Sequence, residues 1–213
     1  MDYAVLRKRM VQQQLIPRGI KDPRVIDAFL KVERHRFIPE SLRSSSYADY
    51  PLPIGEKQTI SQPYIVALMT ECLGLSGNER ILEIGTGSGY QAAILAELSS
   101  QVYSIERFPA LAKRAESVLA ELGYSTIRIR LGDGTQGWPE EAPFSRIIVT
   151  AAAPEIPSPL TEQLSDNGIM VLPLGETHSQ VLTILKKQKN QLKTESICGC
   201  VFVPLIGEYG YKE

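Results

Sequence analysis

The sequence predicts an α/β fold: a doubly wound, mostly parallel sheet with helices on both faces, preceded by an N-terminal helical extension. Three observations carry this. From residue 63 onward, short apolar runs alternate with stretches of helical length, the pattern of strands linked by crossover helices. A glycine-rich turn, Gly85-Thr-Gly87-Ser-Gly89, stands between the first of these strands and the helix after it. Residues 1–60 have another character: two amphipathic segments, then a stretch rich in proline and serine. The expected division is an extension with a lid-like loop over 1–60 and a core over 61–213, together one compact structural domain.

The elements follow in order. Val5, Leu6, Met10 and Leu15 mark the apolar face of a first helix that ends near Pro17 and Gly19. Asp22-Pro23 reads as N-cap and first helical position of a second, with Val25, Ile26, Phe29 and Leu30 buried. Phe37 to Gly55 carries four prolines and glycines and the serines at 44–46, which reads as a long functional loop. A helix is expected from Pro63 to Leu73, a strand over Arg80 to Ile84, and a helix over Tyr90 to Leu98. Then come a strand over Gln101 to Ile105, a helix over Pro109 to Leu122, and a strand over Thr126 to Leu131 with one exposed face. A buried strand spans Arg146 to Ala151, and a short helix spans Leu160 to Leu164, stopped at Asn167-Gly168. Strands at Ile169 to Leu172, Val181 to Leu185 and Cys200 to Leu205 complete the set, with a turn at Asn190-Gln191. The last strands lack an intervening helix, so one of them should be antiparallel.

Composition narrows the function. The chain of 213 residues carries a net charge of −1 and no Lys/Arg block, which disfavours tight nucleic-acid binding. Cys72, Cys198 and Cys200 form no disulfide framework, and only His35 and His178 offer imidazole, so reduced thiols, no metal and a cytoplasmic protein are expected. The charged start is no signal peptide, and no apolar run approaches a membrane span. No feature marks an oligomer interface, so a monomer is the default.

A parallel sheet binds its ligand at the carboxyl ends of its strands. Glu83-Ile-Gly85-Thr-Gly87-Ser-Gly89 falls there, where glycines let backbone approach a ligand and a helix amino terminus offers free N–H groups. Tyr90 occupies the position at which a dinucleotide fingerprint wants Gly or Ala. A carboxylate at Glu83 would repel a pyrophosphate but suits the cationic methionine part of S-adenosylmethionine, directly or through water. Glu106 closes the second strand, about 20 residues on, where a carboxylate can accept from both ribose hydroxyls. Asp133, in Gly132-Asp-Gly134, ends the third strand and suits an adenine amino group. The bland readings are a tight turn, a Glu106–Arg107 pair and a plain Asp-Gly turn. Three acids at successive strand ends instead describe a nucleoside site with a cationic tail, on a Rossmann-like S-adenosylmethionine-dependent methyltransferase fold.

With those residues in place, the chain resembles the protein-L-isoaspartate(D-aspartate) O-methyltransferase family from about residue 4 to 207. The resemblance is carried by Leu52-Pro-Ile-Gly-Glu-Lys-Gln-Thr-Ile-Ser-Gln-Pro-Tyr64, Ile81-Leu-Glu-Ile-Gly-Thr-Gly-Ser-Gly-Tyr-Gln-Ala92, Gly132-Asp-Gly134 with Gly137-Trp138, Ile148-Val-Thr-Ala-Ala-Ala-Pro-Glu-Ile-Pro157 and Phe202-Val-Pro-Leu205. Members often show Val-Pro-Arg where this chain has Val32-Glu-Arg34. The resemblance implies methyl transfer to the free α-carboxylate of L-isoaspartyl residues in damaged proteins and peptides, with D-aspartyl residues left open as a second substrate, a succinimide on the way to repair and S-adenosyl-L-homocysteine as product. It implies Ser61 as the active-site residue. The expected cofactor set is Glu83, Gly85, Thr86, Gly87, Ser88, Gly89, Glu106, Arg107, Asp133 and Gly134, and the expected substrate set Thr59, Ala152, Ala153 and Pro154.

Residue chemistry agrees. A carboxylate is ionised near neutral pH, so no general base is needed, and a serine hydroxyl suffices to orient it. Ser61 has a second reading, as cap of the helix that begins near Pro63. Small side chains at Ala152 and Ala153 would leave a groove in which an extended peptide pairs with backbone. Trp138 and Tyr64 could wall the pocket. The alternatives are a methyltransferase acting on a small molecule or RNA, an NAD-dependent oxidoreductase, for which Glu83 and Tyr90 fit poorly, and a binding module without activity.

Overall fold

The computed structural model describes residues 1–189 and 191–212. Asp2 caps the first helix, α1 (Tyr3–Met10), by accepting from the backbone of Ala4 and Val5. The helix widens to a π-helical turn over Val11–Leu15 and ends in a 3-10 turn at Ile16–Arg18, closed by Gly19 in the left-handed region. The wider turn rotates the phase, so Met10, Val11 and Leu15 are buried while Val5, expected inside, is half exposed. Asp22 caps α2 (Pro23–Lys31) through the Arg24 amide, with Pro23 first, as expected. Its buried residues are Val25, Ala28 and Phe29, while Leu30 turns to solvent.

The expected loop from 37 to 55 is more ordered than its composition implies. Glu40–Ser45 forms 3-10 turns, and β1 (Leu52–Gly55) pairs antiparallel with β2 (Gln58–Ile60). Glu56 and Lys57 make the tight turn between them, both at positive φ. Phe37, Ile38, Tyr47, Leu52 and Ile54 are buried in this segment. Alternating burial in β1, with Pro53 and Gly55 at the exposed positions, hides the hairpin from composition alone.

After α3 (Pro63–Cys72) the strand–helix series begins: β3 (Arg80–Ile84), α4 (Tyr90–Leu98), β4 (Gln101–Glu106), α5 (Pro109–Glu121), β5 (Arg128–Leu131), β6 (Phe144–Val149), α6 (Ser158–Gln163), β7 (Leu164–Glu176), β8 (Ser179–Gln188) and β9 (Gln191–Cys200). Among the described residues these strands form one seven-stranded sheet in the order β5-β4-β3-β6-β7-β8-β9. The pairs from β5 to β7 are parallel, and β7-β8 and β8-β9 are antiparallel. Strand order reverses between β3 and β6, which opens a crevice at their carboxyl ends.

Period-two alternation splits the core across the sheet. Ile81, Ile148 and Val171 face one cluster with residues of α1 to α5; Leu82, Ile84, Ile147, Val149 and Met170 face the other, with Leu160 of α6 and Trp138. Met10, Phe29 and Phe37 of the N-terminal segment share the first cluster with Ala67, Ile81 and Phe202. No helix among the described residues is long and apolar enough to cross a membrane.

Two expected boundaries are corrected. Asn167-Gly168 does not stop a helix. It lies within β7, where Phe144 pairs with Leu164 and Arg146 with Ile169, so residues 165–168 bulge out of the ladder. Asn167 takes φ +60°, which asparagine tolerates. The last strand is Gln191–Cys200, not Cys200 to Leu205. Its polar run Lys193-Thr-Glu195 suits an edge strand, whereas apolar residues 202–205 leave the sheet and cross over the crevice. The expected turn at 190–191 includes Asn190, which lies outside the described residues.

Candidate active site

A cavity opens at the crevice, walled by the glycine loop, the ends of β3, β4 and β6, the β2 strand with Ser61, and the segment 202–206. Gly85 takes φ +96°, and a Cβ there would stand 2.5 Å from Thr150 Oγ1, so the position admits only glycine. Thr150 donates to the carbonyl of Gly85 at 2.7 Å, and the Gly85 amide donates to Ile105 at 2.8 Å, which pins the loop to β4 and β6. Gly87, at φ +54°, lies against Ile54 of the hairpin. Thr86 and Ser88 line the cavity beside it; Gly89 sits outside the wall, packed on Ala115 and Leu119 of α5.

Glu106 is nearly inaccessible, and its two oxygens accept from the amides of Gly87 at 2.7 Å and Phe108 at 2.9 Å. The carboxylate therefore holds the glycine loop while presenting its remaining lone pairs to the cavity. Arg107 lines the same wall, 5.0 Å from the Phe108 ring centroid.

Glu83 lies one layer beneath the wall, fully buried. One of its oxygens accepts from Ser104, whose hydroxyl also meets Thr86 Oγ1 at 2.6 Å; the other oxygen, Oε1, has no partner. Burial pushes the carboxyl up to about 8, opposed by the Ser104 hydrogen bond and reinforced by the negative charge of Glu106. An orphaned, buried acceptor beneath the glycine loop fits a ligand with a cationic group, as S-adenosylmethionine has.

This shift has a measurable sign. The folded-state value lies above the ordinary carboxyl value of 4.5, so Glu83 stabilises the fold most below pH 4.5 and loses that contribution as pH rises toward 8. Glu83→Gln should therefore unfold at a higher temperature than the parent at pH 8 without cofactor. The gain should be largest at pH 8 and shrink toward pH 5, in thermal melts across that range. A constant difference between the two proteins would contradict the assignment.

Asp133 is not in the main wall. Its Oδ1 accepts from the amide and hydroxyl of Thr135, and its Oδ2 accepts from the Glu208 amide at 2.8 Å. It faces an adjoining hollow with Gly132 and Tyr211, and Arg107 and Ile206 line both this hollow and the cavity. Gly134 does line the cavity, and a Cβ there would collide with Ile84.

The Ser61 hydroxyl has no hydrogen-bond partner among the described residues. Gln62 occupies the N-cap of α3 with no side-chain cap, so the capping alternative for Ser61 is not realised. Thr59 is exposed at the rim, on β2. The expected open groove at Ala152 and Ala153 is corrected. Both residues are fully buried, and their backbones are already paired. Ala152 bonds Val203 and Leu205 at 2.8 and 2.7 Å, and Ala153 bonds Pro173 and Gly175 at 3.0 and 3.1 Å. Pro154 is exposed beyond them, and Ala151 is the alanine that lines the cavity.

The expected aromatic walls are also replaced. Trp138 packs edge-on against Tyr103 in the second core, and Tyr64 stacks under Arg18. Tyr90, Phe108 and Phe202 line the cavity instead. Thr150 was not foreseen either, although it directly precedes the alanine run. No histidine or cysteine among the described residues lines the cavity.

The profile of the family described as protein-L-isoaspartate(D-aspartate) O-methyltransferase (PCMT) matches residues 6–210. A protein-L-isoaspartate O-methyltransferase from Geobacter metallireducens is 55% identical over 212 residues, covering 99% of this chain and 98% of that one. One from Syntrophus aciditrophicus is 56% identical, covering 96% and 95%. Among solved structures, a protein-L-isoaspartate O-methyltransferase superposes with a TM-score of 0.87 at 30% identity, over 96% of this chain and 67% of that one. A chain from Plasmodium falciparum, assigned to the same activity and solved with S-adenosyl-L-homocysteine, gives 0.81 at 26% identity, over 97% and 99%.

Proposed function

The chain belongs to the protein-L-isoaspartate(D-aspartate) O-methyltransferase family, and from that premise we propose that it methylates the free α-carboxylate of L-isoaspartyl residues in damaged proteins and peptides, with S-adenosylmethionine as donor. The observation that carries this reading is the pairing, in one cavity, of a cofactor-type wall with a serine hydroxyl that has no partner among the described residues, where no described histidine or cysteine stands as a base. A nucleophile that needs no deprotonation suits such a site, and a carboxylate is one.

The residues fit the cofactor. Glu106 and Gly134 with Asp133 would hold the nucleoside, Glu83 the cationic end, and Gly85 to Gly89 the backbone approach, with Thr86, Ser88 and Arg107 completing the wall. Bound there, the cofactor supplies a methyl group on a sulfonium leaving group. The protein's share is to orient the carboxylate by the Ser61 hydroxyl and to keep water out with Phe202 and the hairpin. Thr59, Pro154 and the residues beside Ala152 and Ala153 would meet the peptide at the rim. Residues 1–60 act as an extension that seats the hairpin on the core from 61 onward.

The test is methyl transfer from labelled S-adenosylmethionine to two peptides that differ only in an Asp or isoAsp linkage. Base-labile label on the isoAsp peptide alone is expected. Label on neither peptide, with S-adenosylhomocysteine binding intact, would move the substrate to another class.

A further inference from the structure

Arg34 is fully buried, in the 3-10 turn Arg34–Phe37 that follows α2. Its Nε donates to the carbonyl of Ser46 at 2.8 Å and its Nη2 to the carbonyl of Ser61 at 2.7 Å. The guanidinium lies 4.9 Å from the centroid of the Tyr90 ring. Ser61 and Tyr90 both belong to the cavity wall, so this cation stands directly behind it.

What is missing around Arg34 is an anion. Among the described residues no carboxylate comes within ion-pair distance of it, and Nη1 has no hydrogen-bond partner. Asp49 is the acid whose field reaches it, and Arg18 holds that carboxylate at 2.7 Å. The Tyr90 hydroxyl, equally buried and without a hydrogen bond of normal length, is the neutral group that the guanidinium faces. A buried cation ordinarily has a paired anion, because losing its hydration is costly. Burial lowers the Arg34 value to about 10, still charged at neutral pH.

We propose that Arg34 is a positioning residue for the substrate carboxylate: it fixes the Ser61 backbone from behind and supplies the positive charge that an anion at the Ser61 hydroxyl balances. The proposal rests on the reaction proposed above, which brings a carboxylate to that hydroxyl. It also gives Arg34 a second task, since the same side chain ties Ser46 of the lid-like segment to Ser61.

The experiment compares an isoaspartyl peptide with its neutral amide, identical except for the α-carboxamide, by calorimetry in the presence of S-adenosylhomocysteine. In the parent the carboxylate should bind at least about tenfold tighter than the amide. In Arg34→Met that ratio should fall toward one while S-adenosylhomocysteine affinity stays within about twofold. Arg34→Lys should keep the ratio, because the charge remains. It should lose about tenfold in kcat, because a single ammonium cannot hold two carbonyls in a fixed fork. An unchanged ratio in Arg34→Met, or unchanged kcat in Arg34→Lys, overturns the assignment. Should the Met variant fail to fold, a parent ratio near one overturns it alone. Methyl transfer by the parent is read separately: its absence sinks the proposed reaction, whereas normal transfer with an unmoved ratio sinks only the role of Arg34.

Discussion

Ser61→Ala should lower kcat for an isoaspartyl peptide by about 10²–10³, the cost of removing one preorganised donor at a reacting oxygen. Cofactor affinity should not change. The hydroxyl makes no hydrogen bond within the described protein, and α3 does not use it as a cap, so its loss removes nothing from the fold. Stability should therefore stay within about 0.5 kcal/mol. The backbone carbonyl of Ser61, which Arg34 holds, survives the substitution. Steady-state methyl transfer together with a thermal melt checks both halves. Normal turnover would leave the serine without a role; a large fall in melting temperature would make it structural.

Glu106→Ala should weaken binding of S-adenosylhomocysteine by about 1.5–3 kcal/mol, roughly 10- to 150-fold, the range for hydrogen bonds to a charged group. The effect has two sources. The ribose would lose its acceptor, and the amides of Gly87 and Phe108 lose the carboxylate that holds them at the edge of the cavity. Glu106→Gln separates them, because it keeps one oxygen acceptor of similar shape and should fall between the parent and the alanine variant. Calorimetry on the three proteins gives the comparison. Affinity unchanged by the alanine substitution would remove Glu106 from the nucleoside site.

Much of the core was legible because its local signals agree. Asp22-Pro23 begins α2, the run 80–84 is a strand, and Tyr90 to Leu98 is a helix, each with caps, glycines and apolar period pointing the same way. Part of the cavity wall was legible for the same reason: Gly85, Glu106 and Gly134 line it from the ends of strands, and strand ends can be read from the period. Long-range placement was not legible. Gly168 looks like a helix stop but sits in a strand bulge imposed by pairing with β6. Ala152 and Ala153 look like an open groove, but two distant segments already occupy their backbone. Asp133 looks like a ligand contact, yet its oxygens also hold Thr135 and Glu208. Arg34 showed in the sequence only as the last residue of Val32-Glu-Arg34, with no role attached, since an arginine among charged neighbours usually faces water, and only the fold puts it behind Ser61.

The crossing of residues 202–211 over the crevice bears on how the protein is made. Leu205 pairs with Ala152, and Glu208 with Asp133, so contacts separated by more than fifty residues close the site. Synthesis adds those residues after every strand of the sheet. A nascent chain halted before residue 202 can assemble β3, β4 and β6 but has a cavity without its outer wall. The cavity therefore gains its outer wall only once residues 202–211 have been added to a sheet whose strands are all made before them.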